Sequence, residues 1–368
     1  MKKVLSVLFC SLAVISMIAA ASAFAENTYT NTSGKEMDIR IISKSFNNQF
    51  YQAAFKGAAD AAAKLGVKIT TNGPDMETNT SQQVEQVKAA VNAKPDAIIL
   101  AACDTASLEE TLDAAKEAGI PVIGFDSGVP GDTTGAVLAT AATDNANAGG
   151  NVAESLIADP NFQKAILKGA KGAPTVLAIL AQDATSGSIV QRVDGFIAKA
   201  LAALEALEGL SGAVSVSGQE KWTKPSANAE KVKIVVVVPP SSSAADIQAA
   251  SKTIFAMDNL VGVFAANQDA VNGVISATND GTDLDRADGV YKDIFVVGFD
   301  SGTSQREAIK DGQFFGSVTQ DPYQMGYQAV GLAVRAANGE KVVDADTGSK
   351  WYNAANIDNE DIAILLYD

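Results

Sequence analysis

The stretch IPVIGFDSG, residues 120–128, returns almost unchanged as IFVVGFDSG at residues 294–302. Each copy is an apolar run ended by Gly-Phe-Asp-Ser-Gly. A short unbroken apolar run bounded by turn residues reads as a strand buried on both faces, and such strands belong to parallel sheets covered by helices. Two copies this far apart in the chain read as one α/β unit used twice.

Outward from these copies, apolar runs and helical patterns alternate along the chain. DIRIIS precedes a helical stretch through Leu65, and VKITTNG precedes a helix near Ser81 to Asn92. AIILAA, a helix from Thr105 to Ala118, PVIGFD and AVLATAAT complete the first series. A helix near Asn145 to Ile157 opens the second. It continues through TVLAILAQ, an alanine-rich helix ending near Leu207 with Gly209 as its stop, KIVVVV, a helix near Ala244 to Met257, LVGVFAAN, another helix and IFVVGFD. The expected fold class is α/β, with two doubly wound, Rossmann-like parallel-sheet lobes. Residues 211–230, SGAVSVSGQEKWTKPSANAE, break the rhythm and read as a loop or hairpin inserted at the surface.

Residues 1–25 read as a cleaved export signal. Lys2 and Lys3 precede a mostly apolar run from Val4 to Ala20, and Ala23-Phe24-Ala25 supplies the small residues of a cleavage site. Phe9 stands before Cys10 where a lipoprotein signal requires a small residue, so no lipid anchor is expected. The expected location is the periplasm. The formal charge of −15 becomes about −17 without the two leader lysines, a surface that disfavours nucleic acid and anionic lipid as partners. Cys103 is the one cysteine beyond the leader, so no intrachain disulfide is expected. The chain has no histidine, which removes Ser-His-Asp and Cys-His nucleophiles and histidine metal sites. DLDRADG (283–289) lacks the carboxylate spacing of a calcium loop, and neither a phosphate-binding loop nor a Gly-x-Ser-x-Gly elbow occurs. No cofactor or metal is expected.

In open parallel sheets, ligands bind beyond the carboxyl ends of the strands. Asn47, Asn48, Phe50 and Tyr51 follow the first run; Cys103 and Asp104 follow AIILAA; Asp126 and Ser127 follow VIGF. In the second series the corresponding residues are Gln182, Asp183, Ser241 to Ser243, Asn267, Gln268, Asp300, Ser301 and Gln320. A dinucleotide site needs a glycine-rich first turn, but SFNNQFYQAAFKG (45–57) fills that turn with side chains. Amides and carboxylates suit a molecule rich in hydroxyls, each of which donates and accepts. Phe50 and Tyr51 are candidates to cover the apolar face of a sugar ring.

The motifs NNQFYQAAFKGAADAAAKLG, KPDAIILAACDT, AGIPVIGFDSG, TDNANAGG, RVDGF, VFAANQ, VVGFDSG and VTQDPYQMGY occur in this order from about Asp38 onward. With them the chain resembles the periplasmic sugar-binding proteins of the ribose/galactose type, the ligand-capturing subunits of ABC importers. The resemblance implies a periplasmic binding protein type I fold whose lobes are joined by three hinge crossings, near Ala142, Gln320 and Ala354. The first lobe would comprise residues 36–142 and 321–353, and the second 143–320 and 354–368. It implies ligand contacts at Asn48, Phe50, Tyr51, Asp126, Arg192, Asn267, Asp300 and Gln320, a sugar ligand, a membrane permease as partner and a monomeric receptor. Two departures stand out. Ser127 replaces the arginine that ribose binders carry after the first carboxylate. The second-lobe aromatic has no clear counterpart: spacing points to Ser241 to Ser243, residue type to Trp222.

Plainer roles remain open for the same residues. Asn47 and Asn48 suit a helix cap, Phe50 and Tyr51 a core, Asp126 and Asp300 caps or turns, Arg192 a solvated helix face, and Cys103 a small buried apolar site. Three other functions compete with import: a receptor serving a membrane sensor, a transcription regulator, and a secreted carbohydrate-active enzyme using Asp126 and Asp300. A regulator of this type carries an N-terminal helix-turn-helix and no export signal, the reverse of this chain.

Overall fold

The computed structural model describes residues 30–32 and 34–367. The proposed leader, residues 1–25, lies outside them. The first series forms β1 (Asp38–Ile42), α1 (Gln49–Leu65), β2 (Lys68–Asn72), α2 (Thr80–Asn92), β3 (Ala97–Leu100), α3 (Glu109–Glu117), β4 (Val122–Phe125) and β5 (Val137–Ala142). The second forms α4 (Asn145–Ile157), α5 (Pro160–Ile166), β6 (Thr175–Leu180), α6 (Gly187–Glu205), β7 (Val214–Ser217), β8 (Val232–Val237), α7 (Ala244–Phe255), β9 (Leu260–Ala265), α8 (Gln268–Ala277), β10 (Phe295–Phe299), α9 (Thr303–Lys310) and β11 (Gly316–Gln320). The chain ends with α10 (Pro322–Ala337), β12 (Ala345–Asp346), β13 (Ser349–Tyr352) and α11 (Glu360–Ala363).

These strands make two sheets. The first has the order β12-β5-β4-β3-β1-β2 and is parallel throughout. The second has the order β13-β11-β10-β9-β6-β8-β7, parallel except for the antiparallel β11/β13 pair. Central strands β3, β4 and β6 are buried along their whole length, while β2, at the sheet edge, is exposed or half-buried throughout. That contrast is why the interior strands read as unbroken apolar runs. The architecture is the expected pair of α/β lobes.

Each lobe has a helix pair pressed backbone to backbone. A Cβ on Gly57 of α1 would lie 1.9 Å from the Tyr323 carbonyl of α10, and one on Gly326 the same distance from the Ala54 carbonyl. Between α4 and α6, Gly149 and Gly195 play the same part against the carbonyls of Arg192 and Ala146. Only glycine permits such an approach, and in the second lobe it brings Asn145 of α4 within reach of Arg192.

Three expectations are corrected by the sheets. The chain passes between them after β5, after β11 and between β12 and β13, so the third crossing falls at Thr347 and Gly348 instead of near Ala354. Residues of β13, expected in the first lobe, pair with β11 in the second sheet because an apolar face there receives Tyr352. The 211–230 segment is more than surface decoration. It supplies edge strand β7, and Trp222 is buried in the second lobe's core with its Nε1 donating to Asp194 Oδ1 at 2.7 Å.

Candidate functional site

The carboxyl ends of the two sheets face each other, with a pocket between them. Its lining includes Asn48, Phe50, Tyr51 and Asp126 from the first lobe and Arg192, Asn267, Asp300 and Gln320 from the second. These eight were all expected. Lys44, Glu77, Ser188, Ile189 and Gln268 complete the wall.

The repeated Gly-Phe-Asp motif gives both lobes the same device. Asp126 and Asp300 directly follow β4 and β10 with φ of 53° and 78°, a left-handed conformation that Asp tolerates better than most residues. Such strain at the end of a buried strand marks a position held by its surroundings. The Tyr51 hydroxyl donates to Asp126 Oδ2 at 2.5 Å. Gln320 Nε2 donates to Asp300 Oδ1 at 2.6 Å, and the Gln268 amide to its Oδ2 at 2.9 Å. Burial pushes the Asp300 carboxyl upward, with Arg192, Gln320 and the Gln268 amide opposing it. Gln320 Oε1 is buried without a hydrogen-bond partner among the described residues, so its acceptor capacity is unused there.

Arg192 is 2% exposed, so its solvated reading fails. Its Nε and Nη2 donate to Asn145 Oδ1 at 3.2 and 2.8 Å, its Nη1 donates to the Ala266 carbonyl at 2.6 Å, and Phe299 lies 3.4 Å beneath the guanidinium. Asp300 Oδ2 is 4.0 Å away. Most of the guanidinium fork is therefore committed to the protein.

Asn48 caps a helix while also lining the pocket. Its side chain accepts from the Phe50 amide at 2.9 Å, capping α1, while its Nδ2 reaches Glu77 Oε1 at 3.5 Å. Phe50 packs edge-on against Tyr51 and against Tyr367, whose hydroxyl donates to Gln268 Oε1 at 3.3 Å. The Tyr51 ring is packed between Phe50 and Phe125, and its hydroxyl is spent on Asp126. Tyr51 holds a carboxylate in place instead of lying open as a ring cover.

Three expected residues do not join this lining. Asp104 accepts from the amide and hydroxyl of Ser107, capping the turn that leads to α3. Ser127 donates to the Ala102 carbonyl at 2.9 Å and faces a neighbouring cavity near the hinge. Ser241 donates to Asp246 within the N-terminal cap of α7. Each sits at a strand end, but Asp104 and Ser241 are captured by a partner in the following turn, and Ser127 by a carbonyl beyond the neighbouring strand. Neither Ser241 nor Trp222 therefore supplies the missing second-lobe contact. Ser242 instead meets Thr78 across the lobes. Cys103 is buried, its Sγ donating to the Lys44 carbonyl, and burial pushes its thiol well up.

Lys44 and Glu77 were missed. Lys44 comes two residues after β1, where the strand-end rule applies, but a lone lysine carries no sequence signal of burial. Glu77 follows an edge strand with no apolar run to flag it. They are 3% and 6% exposed and form an ion pair at 2.9 Å, with Asp126 Oδ2 3.8 Å from the ammonium. Burial alone would lower the Lys44 pKa, but Glu77, Asp126 and Asp183 outweigh it and hold the group above its ordinary value.

The lobes touch through direct side-chain bonds around the pocket. Lys44 Nζ donates to Ser188 Oγ at 3.4 Å, Gln182 Nε2 to Glu77 Oε2 at 2.9 Å, and Gln268 Nε2 to Gln49 Oε1 at 2.9 Å. Thr78 and Ser242 exchange amide-to-hydroxyl bonds at 3.2 Å in both directions. Asn267 Nδ2 donates to Gln182 within the second lobe. Chemically, the arrangement is a wall of carboxylates, amides and aromatic edges. Among the described residues no His, Cys, Asp or Glu side chains are grouped to hold a metal ion.

Comparison with known proteins yields concordant matches. The profile of the periplasmic binding protein domain matches residues 39–341. The ribose import binding protein RbsB of Bacillus subtilis is 26% identical over 311 residues, covering 84% of each chain. Among solved structures, a Brachyspira murdochii protein described as an ABC transporter and LacI family transcriptional regulator is 34% identical with a TM-score of 0.72, covering 90% of this chain and 99% of its own. A carbohydrate transporter solute binding protein from Agrobacterium radiobacter, solved with D-arabinose, is 28% identical with a TM-score of 0.72, covering 91% and 100%.

Proposed function

This chain belongs to the periplasmic binding protein family, and from that premise we propose that it captures a monosaccharide or similar polyol between its lobes and delivers it to an ABC importer. One observation carries the reading: eight residues chosen as ligand contacts line a single pocket, four from each lobe. Sugar-binding relatives support the ligand class. An acceptor-rich wall with aromatic edges suits a molecule of many hydroxyls and a small apolar face.

The mechanism is hinge closure. Ligand bonds to both half-sites exist only when the lobes meet, so binding favours the closed form. Hydrogen bonds to charged groups contribute about 1.5–3 kcal/mol each, and a few of them reach micromolar affinity. Export through the 1–25 leader, action as a monomer, docking of the closed form on a permease and the lack of turnover complete the proposal.

The test is a thermal-shift panel of monosaccharides and sugar alcohols, followed by titration calorimetry and small-angle scattering with the best of them. A stoichiometric complex that is more compact than the free protein, and from which unchanged sugar is recovered, is expected. Chemical conversion of the sugar, or failure of every neutral sugar to bind, overturns the reading.

A further inference from the structure

Glu77 raises a physical question that closure alone does not answer. Burying a carboxylate costs several kcal/mol unless it is well paired, and a neutral contact can join two lobes equally well. The next residue does so: Thr78 meets Ser242 through hydroxyls and amides. Glu77 instead carries its charge inward, where Oε2 meets the Lys44 ammonium at 2.9 Å and Gln182 Nε2 at 2.9 Å, and Oε1 meets Asn48.

The charges of the pocket show what this achieves. Its lining carries two cations, Lys44 and Arg192, and three carboxylates, Glu77, Asp126 and Asp300. Arg192 is turned toward Asn145 and the Ala266 carbonyl. Lys44 is thus the cation placed to receive an anionic group, and Glu77 occupies it. With Glu77 neutral, the formal balance moves from one excess carboxylate to zero and the ammonium loses its nearest counter-charge. Its remaining neighbours would be Ser188 at 3.4 Å and Asp126 at 3.8 Å, with the Asp183 charge also acting on it.

We propose that Glu77 is a specificity-determining residue that closes this cleft to acid sugars by holding the Lys44 ammonium. The proposal rests on the sugar-binding reading above and adds the charge of the ligand. Selectivity here comes from denying an unwanted ligand its partner as much as from contacting the right one.

The experiment titrates wild type and Glu77→Gln with D-ribose, D-galactose and D-glucose, each against its acid counterpart: D-ribonate, D-galacturonate and D-glucuronate. Wild type is expected to bind at least one neutral member and to bind its acid counterpart at least a hundredfold more weakly. In E77Q the neutral sugar binds more weakly, the acid sugar binds at least tenfold more tightly than to wild type, and adding Lys44→Met abolishes that gain. A structural role for Glu77 would weaken both arms and produce no gain. Should E77Q fail to fold by circular dichroism, Glu77→Ser is read in the same way. An unchanged acid-to-neutral ratio, or a wild type that takes the acid sugar as well as the neutral one, overturns the proposal and leaves the sugar reading intact. A wild type that binds no neutral sugar overturns both.

Discussion

Gly187 offers a sharp test of closure. It begins α6 in the second lobe and lies against the β4–β5 loop of the first. A Cβ there would sit 2.6 Å from the Ser127 carbonyl oxygen and 2.5 and 2.7 Å from the Pro130 ring. Ordinary contact needs roughly 0.8 Å more, and neither a carbonyl nor a proline ring can swing aside. Gly187→Ala introduces this clash only when the lobes meet. Its backbone is not in the left-handed region, so alanine brings no strain to the separate lobe and favours the helix by up to about 1 kcal/mol. Overpacking of this kind costs about 1–3 kcal/mol, charged here to the closed form alone. The dissociation constant should therefore rise by about 5- to 150-fold, while thermal stability without sugar is unchanged or slightly higher. Calorimetry with the panel sugar measures the first quantity, and scattering should show less compaction. An affinity within twofold of wild type refutes the argument that this contact forms on ligand capture.

Three further outcomes follow from the geometry. Tyr51→Phe and Asp126→Asn should each weaken sugar binding by about tenfold or more, the loss of one hydrogen bond to a charged group. Because they act as one unit, calorimetry on the double variant should show less than the product of the two losses; a full product denies the coupling. Trp222→Ala should cost about 3–5 kcal/mol of stability in thermal or denaturant unfolding, yet leave affinity within twofold in the folded protein, since Trp222 packs in the second lobe's core. Asp269, at the cleft mouth beside Glu77, is pushed up from 3.8 to about 7 by burial and by the charges of Glu77 and Asp300, against the pull of Lys44. With the folded value above the unfolded one, its stabilising contribution is complete below about pH 4 and lost as pH rises through about 7. Asp269→Asn should raise the melting temperature by a few degrees at pH 8 and change it less at pH 5; an equal shift at both refutes the titration.

Much of the fold was legible because parallel strands buried on both faces leave unbroken apolar runs, as in β3, β4 and β6. The duplicated Gly-Phe-Asp exposed Asp126 and Asp300 together, since the same strand end and the same strained backbone recur in both lobes. What escaped lacked such a pattern. Strands β12 and β13 are short and half-exposed, and α5 is two turns long. Asp104, Ser127 and Ser241 stand at strand ends like the true lining; the following turn draws Asp104 and Ser241 into caps, and the neighbouring strand end draws Ser127 to the Ala102 carbonyl.

Local sequence alone determined two α/β lobes, the rim from which side chains project and the polar, histidine-free character of that rim. Tertiary structure alone decided that Lys44, Glu77, Gln182 and Ser188 meet, and that Trp222 does not join them. The reason is range. Periodicity records which face of a strand or helix is buried within its own lobe, whereas a contact between residues 44 and 188 depends on where three hinge crossings bring one lobe against the other.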